Sequence, residues 1–217
     1  CDEIRSSKRF PELLEIVLAV GNKLNQNTKN ASAAGIKLKD LPKLAATKAN
    51  SGMTVLDYIV TNLLRKRPDL LKVGEDLPHV PAAQKVNIDV LKSDHRKIKD
   101  GLAKIEKEID TDEELGEDSF EISLGPFKDK ATFQFEALDE KWKAMNDDFT
   151  SLAEYLMEPK LKPEELFKIV NTFLELIARS TKQVSAKLAR KAKMERAKAA
   201  KAAKLALKRA KSAPANN

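Results

Sequence analysis

The residues of this chain with the potential for covalent or metal chemistry are few, and their spacing does not organise them. His79 and His95 stand sixteen positions apart, and neither has a neighbour at metal-ligand spacing. His95 falls on an apolar helical seam, where a buried structural or partner-contact histidine is expected ahead of a metal ligand. The single cysteine, Cys1, can form neither an internal disulfide nor a cysteine zinc site, and it fits a reducing compartment. Asp110 to Glu121 holds seven carboxylates, but Asp112, Glu113 and Glu114 lack the glycine and spacing of a calcium loop, so a solvated connector is expected. There is no P-loop, dinucleotide fingerprint or nucleophile elbow. The chain reads as a non-enzyme with no cofactor and no metal.

What remains is the chemistry of binding. Lys37, Lys43 and Lys48 spread over an irregular segment held by flanking helices, where loop residues often bind partners, though each alone could be a solubilising charge. Residues 182–211 carry twelve Lys/Arg and one acid, Glu195, a net +11 that leaves the rest of this +7 chain at −4. Such a tail could hold a nucleic acid, an anionic membrane or an acidic protein surface, or be no more than a solvated charged helix. No aromatics interleave it for base stacking, and its apolar face is thin for a membrane helix. A third feature is Gly21-Asn22, on the face formed by Phe10, Leu13, Leu14, Val17, Gly21 and Leu24. A glycine inside a helix costs about 1 kcal/mol against alanine. Close approach of another backbone, with Asn22 and Asn25 offering their amides, would justify it; a plain helix end beside a loop is the alternative.

The elements that position these residues are helices. Seven glycines, 5% aromatics and abundant Ala, Leu, Lys and Glu describe an all-α protein rich in long helices. The longest apolar run, Ile16 to Val20, is far short of a membrane span, and CDEIRSSKRF has no signal-peptide core. A start at Cys1 within an apparent helix suggests a piece of a longer protein. Ala31 to Thr47 reads as turn and short helix limited by Pro42. Thr54 to Asp57 reads as a capping box, opening a helix that buries Val55, Leu56, Ile59, Val60, Leu63 and Leu64 and stops at Pro68. A long helix is expected from about Pro81 to Ile109 along Ile88, Leu91, His95, Ile98, Leu102, Ile105 and Ile109. A loose acidic connector, Asp110 to Pro126, should follow. Gly125-Pro126 should open a second long helix along Ala131, Phe135, Leu138, Trp142, Met145, Phe149, Leu152 and Leu156. The two seams predict an elongated bundle with an antiparallel coiled-coil-like hairpin. After a turn at Pro159 and Pro163, a last helix buries Leu166, Phe167, Val170, Phe173, Leu174 and Ile177. From about Lys182 a frayed or single exposed helix is expected, ending in a disordered tail near Ser212. The organisation is thus 1–180 as the folded part and 181–217 as a basic tail.

The run Leu18-Ala19-Val20-Gly21-Asn22-Lys23-Leu24-Asn25, then Gly35-Ile36-Lys37-Leu38, Leu41-Pro42-Lys43-Leu44 and Thr47-Lys48, resembles the formin homology two domain in order and spacing. Ser51 to Val60 resembles that family's next helix, and the likeness covers roughly residues 1 to 180. Lys23 stands where the family usually has an aromatic, Ile36 where it has Phe, and Gln26-Asn27 where a glycine is common.

The resemblance implies the carboxy-terminal part of an actin-nucleating domain, cytoplasmic and associated with the actin cytoskeleton. In that family a head-to-tail dimer encircles the barbed end, nucleates unbranched filaments and moves with the growing end. A lasso on one subunit wraps a post on the other, and Gly21, Asn22, Leu24 and Asn25 match the motif lining the post. Lys37, Lys43 and Lys48 match the family's basic actin contacts. Profilin-actin would be delivered through an upstream segment. The lasso, the linker and most of the knob are expected to precede these residues. The rivals are a helical coiled-coil adaptor whose basic tail binds nucleic acid or anionic membrane, which leaves the Gly-Asn-x-Leu-Asn stretch unexplained, and a scaffold with the hairpin as spacer.

Overall fold

The structure, a computed structural model, describes residues 1–28, 32–48, 52–114 and 119–211, with side chains for all but 112–114, 119–121 and 205–211. Its elements in order are α1 (Asp2–Ser6), α2 (Arg9–Leu24), a 3-10 segment (Leu38–Ala45), α3 (Val55–Lys66), a second 3-10 segment (Pro68–Asp76), α4 (Val80–Ala83), α5 (Ile88–Glu114), α6 (Ser119–Tyr155) and α7 (Pro163–Lys211). The fold is all-α. Among the described residues the one strand-like pairing is an isolated bridge between Lys48 and Thr54.

Two compact units make up the chain. The first comprises Cys1–Ser7, Lys37–Lys39 and Leu77–Asn171. Its framework is the pair α5 and α6, which run antiparallel: His95 faces Phe135, Asp139 and Trp142, far along α6 from the end joined to α5. Ile4, Leu38, Leu77, Val80, Ile109, Leu152, Leu166, Phe167 and Val170 are buried in this unit.

Local chemistry sets its helix ends. Asn87 caps α5, its Oδ1 accepting from the amides of Asp89 and Val90 at 2.9 and 3.1 Å. Lys162 precedes α7, and its amide donates to Glu165 Oε2 at 3.1 Å, a reciprocal cap of the Glu-at-N3 kind. At the end of α6, Glu158 N–H donates to Ala153 O and Met157 N–H to Glu154 O. That is a Schellman close with Met157 in the left-handed region at φ 58°. The turn then holds Leu38, whose amide donates to Glu158 Oε1 at 3.2 Å.

The second unit comprises Lys8–Ile36, Asp40–Asp76 and Thr172–Asn217. Phe10, Leu13 and Val17 of α2, Val55, Leu56, Ile59, Val60 and Leu63 of α3, and Leu70 and Val73 of the second 3-10 segment are buried, as are Phe173, Ile177 and Val184 of α7. These positions repeat at three and four residues, so each helix turns one stripe inward. Thr54 caps α3, accepting from the Asp57 amide at 3.0 Å. The Asp57 carboxylate takes a tertiary role, accepting from the buried Ser180 of α7 at 2.6 Å. Arg67 closes the end of α3 with Asp69 and reaches Glu12 of α2 through both guanidinium nitrogens. This lifts the Arg67 pKa further and holds the Asp69 carboxyl below the usual carboxylate range, chiefly through the Arg67 hydrogen bonds.

Several sequence expectations change. The helix expected from Pro81 to Ile109 is two, α4 and α5, because Asn87 breaks and re-caps the chain. The loose connector expected from Asp110 to Pro126 is helical up to Glu114 and again from Ser119; residues 115–118 lie outside the described part. Glutamate is a good helix former, and exposed carboxylates stay hydrated within a helix, so the pairing of α5 and α6 carries both further. Gly125-Pro126 therefore sits inside α6 rather than opening it, and Pro126 forgoes one backbone hydrogen bond there. Past Lys182, α7 stays one unbroken helix to Lys211, exposed on all sides from Ala189 to Lys204. The tail expected to be disordered beyond Ser212 lies outside the described residues.

Candidate functional site

The C-terminal half of α2 and the start of α3 enclose an open groove of about 440 Å³, lined by Ile16, Ala19, Val20, Lys23, Leu24, Val55 and Tyr58. It exists because α2 places residues 16, 20, 23 and 24 on one stripe beside its buried stripe, and α3 leans Tyr58 over it. Leu24 and Tyr58 remain half exposed, at 53% and 51%. An apolar slot edged by one ammonium and one phenol suits an aromatic or aliphatic side chain carried by a partner segment.

The four motif residues separate in role. Leu24 lines the groove. Asn22 faces away, and its amide closes a two-bond clamp on Ala33, donating from Nδ2 to the carbonyl at 3.0 Å and accepting at Oδ1 from the N–H at 3.1 Å. Asn25 is the C-cap of α2; its amide donates to Gly21 O and its carbonyl accepts from the Thr28 amide and hydroxyl. Gly21 has open space where a Cβ would stand, so among the described residues no backbone approaches it closely. The expected backbone satisfied by an asparagine is present, but it is the loop at Ala33.

All three candidate lysines are exposed. Lys37 precedes the first 3-10 segment with its side chain in solvent. Lys43 lies inside that segment and pairs with Asp40 at 2.7 Å. An exposed pair of this kind is worth about 0–1 kcal/mol and yields readily to another anion. Lys48 follows, bridged through its backbone to Thr54, while Val55 N–H donates to Thr47 O.

Sequence reading missed Tyr58, Lys23 and Val55 as a set. The available signal was Tyr58, an aromatic out of phase with the Val55–Leu56–Ile59–Val60 face. His95 is largely buried between Phe135 and Trp142 at ring distances of 5.0 and 5.1 Å, its Nε2 3.1 Å from Asp139 Oδ1. Asp139 is held below the usual carboxylate range, first by Lys143 and then by His95. Among the described residues no three His, Cys, Asp or Glu gather to hold a metal ion. Nor, among them, is any helix long and apolar enough to cross a membrane.

The family model of the Formin Homology 2 Domain matches residues 1–177. The chain belongs to that family. It is 32% identical over 178 residues to Protein diaphanous of Drosophila melanogaster, across 80% of this chain and 16% of that protein. It is 34% identical over 186 residues to Disheveled-associated activator of morphogenesis 2 of Gallus gallus, across 82% and 17%. Formin-like protein 14 of Arabidopsis thaliana matches at 32% over 186 residues, across 83% and 15%. The chain thus spans less than a fifth of the length of these curated relatives. In this formin homology 2 chain, Lys23, the departure from the family's aromatic, sits on the groove wall.

Proposed function

We propose that this chain is the actin-binding, carboxy-terminal part of a formin that nucleates and elongates unbranched filaments at the barbed end as a dimer. The observation that carries the reading is the α2–α3 groove, which the motif residue Leu24 lines. A preformed, half-open apolar slot on a helical scaffold costs little to fill, because the protein side is already ordered. In this reading the groove and the motif residues Gly21, Asn22, Leu24 and Asn25 receive a lasso from a second subunit. Leu24 touches that segment, while Asn22 shapes the loop beside it. Lys37, Lys43 and Lys48 contact actin by charge, and profilin-actin arrives through a segment beyond these residues. The formin makes no bond; it holds actin subunits together and steps between them. The cytoplasmic actin cytoskeleton is the corresponding location. The adaptor reading leaves the family match and the groove without a purpose.

The ring requires a lasso, which we place beyond residues 1–217. In pyrene-actin assembly the 217-residue chain is therefore expected to leave the lag unchanged while slowing elongation from preformed seeds. Robust nucleation by the chain would overturn the dependence on the ring. No effect on seeded elongation at any concentration would overturn the actin reading.

A further inference from the structure

The basic stretch of α7 takes no part in the groove, yet its charges are sorted. From Ala189 to Lys204 every residue is exposed, so the sequence alone decides what each face of the helix presents. At about 100° per residue, Lys187, Lys191 and Lys198 line one edge of a cationic face. Arg190 and Lys201 form its middle, and Lys193 and Lys204 its other edge. Together they occupy an arc of about 160° and a length of about 25 Å. The remaining arc holds Ala192, Ala199 and Ala203 with the one acid, Glu195, which reaches Lys198 at 3.8 Å. Arg196 is the one cation between Lys187 and Lys204 that falls there. Hydration alone does not favour this sorting. Lys187 and Lys191, Lys198 and Lys201, and Lys201 and Lys204 stand three or four apart, a spacing at which like charges destabilise a helix. A helix that has only to stay solvated alternates the two signs around itself.

We infer that this face of α7 adsorbs onto an anionic phospholipid surface. Charge complementarity supplies the attraction, and the make-up of the face selects the partner. Six of its seven cations are lysines, flexible and strongly hydrated point charges that suit a diffuse layer of headgroups. Protein partners are gripped by arginine and aromatic anchors, and lysine is depleted from such contacts. This face has one arginine, no aromatic residue, and Met194 as its one large apolar side chain, 60% exposed. Base edges in a duplex are read by Asn, Gln, Ser or Thr as well as by cations, and between Lys187 and Lys204 the arc has none of these four. A straight rod charged along one side fits a plane, where all seven cations touch at once. The contact is electrostatic. The alanine arc is too weakly apolar to insert, and among the described residues no helix is long and apolar enough to cross a membrane. This surface is separate from the α2–α3 groove and from Lys37, Lys43 and Lys48, and it does not rest on the actin reading.

The test is co-sedimentation of the 217-residue chain with vesicles at about 0.1 M salt, with circular dichroism as the folding control. Vesicles of phosphatidylcholine alone are compared with vesicles holding about 30% phosphatidylserine. Binding to the anionic vesicles alone is expected, and it should fall away at about 0.5 M salt. Each lysine near such a surface strengthens binding about fivefold. Changing Lys191, Lys193, Lys198, Lys201 and Lys204 to glutamine should therefore weaken it at least about 100-fold. The decisive variant moves three charges across the helix: Lys191→Ala with Ala192→Lys, Lys198→Ala with Ala199→Lys, and Lys201→Ala with Ala203→Lys. Composition, net charge and helix propensity stay as they were, but the face is broken, so binding should weaken at least about tenfold with helicity kept. Undiminished binding by this variant would overturn the proposal, since net charge alone would then suffice. So would equal binding to phosphatidylcholine vesicles, or no binding to the anionic ones at about 1 mM lipid. A mixed-sequence DNA duplex that displaces the anionic vesicles at equal charge concentration would overturn it in favour of nucleic acid.

Discussion

Replacing Asn22 by alanine removes both bonds that hold Ala33 to α2, at 3.0 and 3.1 Å. Each such bond contributes about 0.5–1.5 kcal/mol net, so the loop at Ala33 loses about 1–3 kcal/mol of local stability. Because Asn22 and Ala33 lie outside the buried core, the loss is confined to opening of this loop and the global transition moves little. At 1.4 kcal/mol per tenfold, exchange of the Ala33 amide should accelerate roughly 5- to 150-fold. Solvent exposure of both bonds favours the lower half of that range. Asn22→Asp is the informative companion: its carboxylate still accepts from the Ala33 amide but cannot donate to the Ala33 carbonyl. It should produce an intermediate acceleration. Hydrogen exchange read by NMR at Ala33, with Leu63 in the core as internal reference, measures this. Unchanged exchange at Ala33 in Asn22→Ala would refute the clamp, as would equal acceleration at Leu63.

Met157→Gly should raise stability by about 0.5–1 kcal/mol in urea denaturation, since it relieves a left-handed backbone while giving up only a side chain in solvent; no gain would refute the strain at this turn. Phe173→Ala, at a fully buried position of the second unit, should cost about 3–5 kcal/mol in the same assay; a loss under about 1 kcal/mol would show that the site is not core. Asp69 has a folded pKa depressed by Arg67, so its contribution is present above the unfolded value of about 4 and is lost as pH falls through the folded one. Arg67→Met should therefore lose less stability than the parent between about pH 5 and pH 2, and an equal loss would contradict the pairing.

The helices of the buried core were legible because their apolar residues repeat at three and four: Phe10, Leu13 and Val17, or Val55, Leu56, Ile59 and Leu63, are buried as the spacing requires. The cap at Thr54 was likewise written in single residues, whereas Pro163, read as part of a turn, is the first residue of α7. Helix ends chosen by weaker signals were not. Gly125-Pro126 looks like a beginning, yet the pairing of α5 with α6 carries the helix through it. Asn87 re-caps the chain at a place where the apolar seam alone gives no reason to stop. The motif at Gly21 to Asn25 was visible, but its division of labour was not: Asn22 points to Ala33, eleven residues on, and the groove needs Tyr58 from a different helix. The two apolar seams of the hairpin were legible as heptads, but only the burial of individual side chains shows that Leu91, Ile98, Leu138 and Met145 stay partly exposed while Ile109 and Leu152 are buried.

The most direct test of the account is co-sedimentation with actin filaments at moderate salt. It compares the intact chain with two variants: Lys37, Lys43 and Lys48 all changed to alanine, and the exposed α7 residues Lys191, Lys193, Lys198, Lys201 and Lys204 all changed to glutamine. The account predicts that the intact chain pellets with filaments, that the triple-alanine variant loses at least about tenfold in affinity, and that the glutamine variant keeps part of its binding with a shallower salt dependence. Binding lost only in the glutamine variant and untouched in the triple-alanine variant would contradict it, because the contact would then be generic charge attraction through α7.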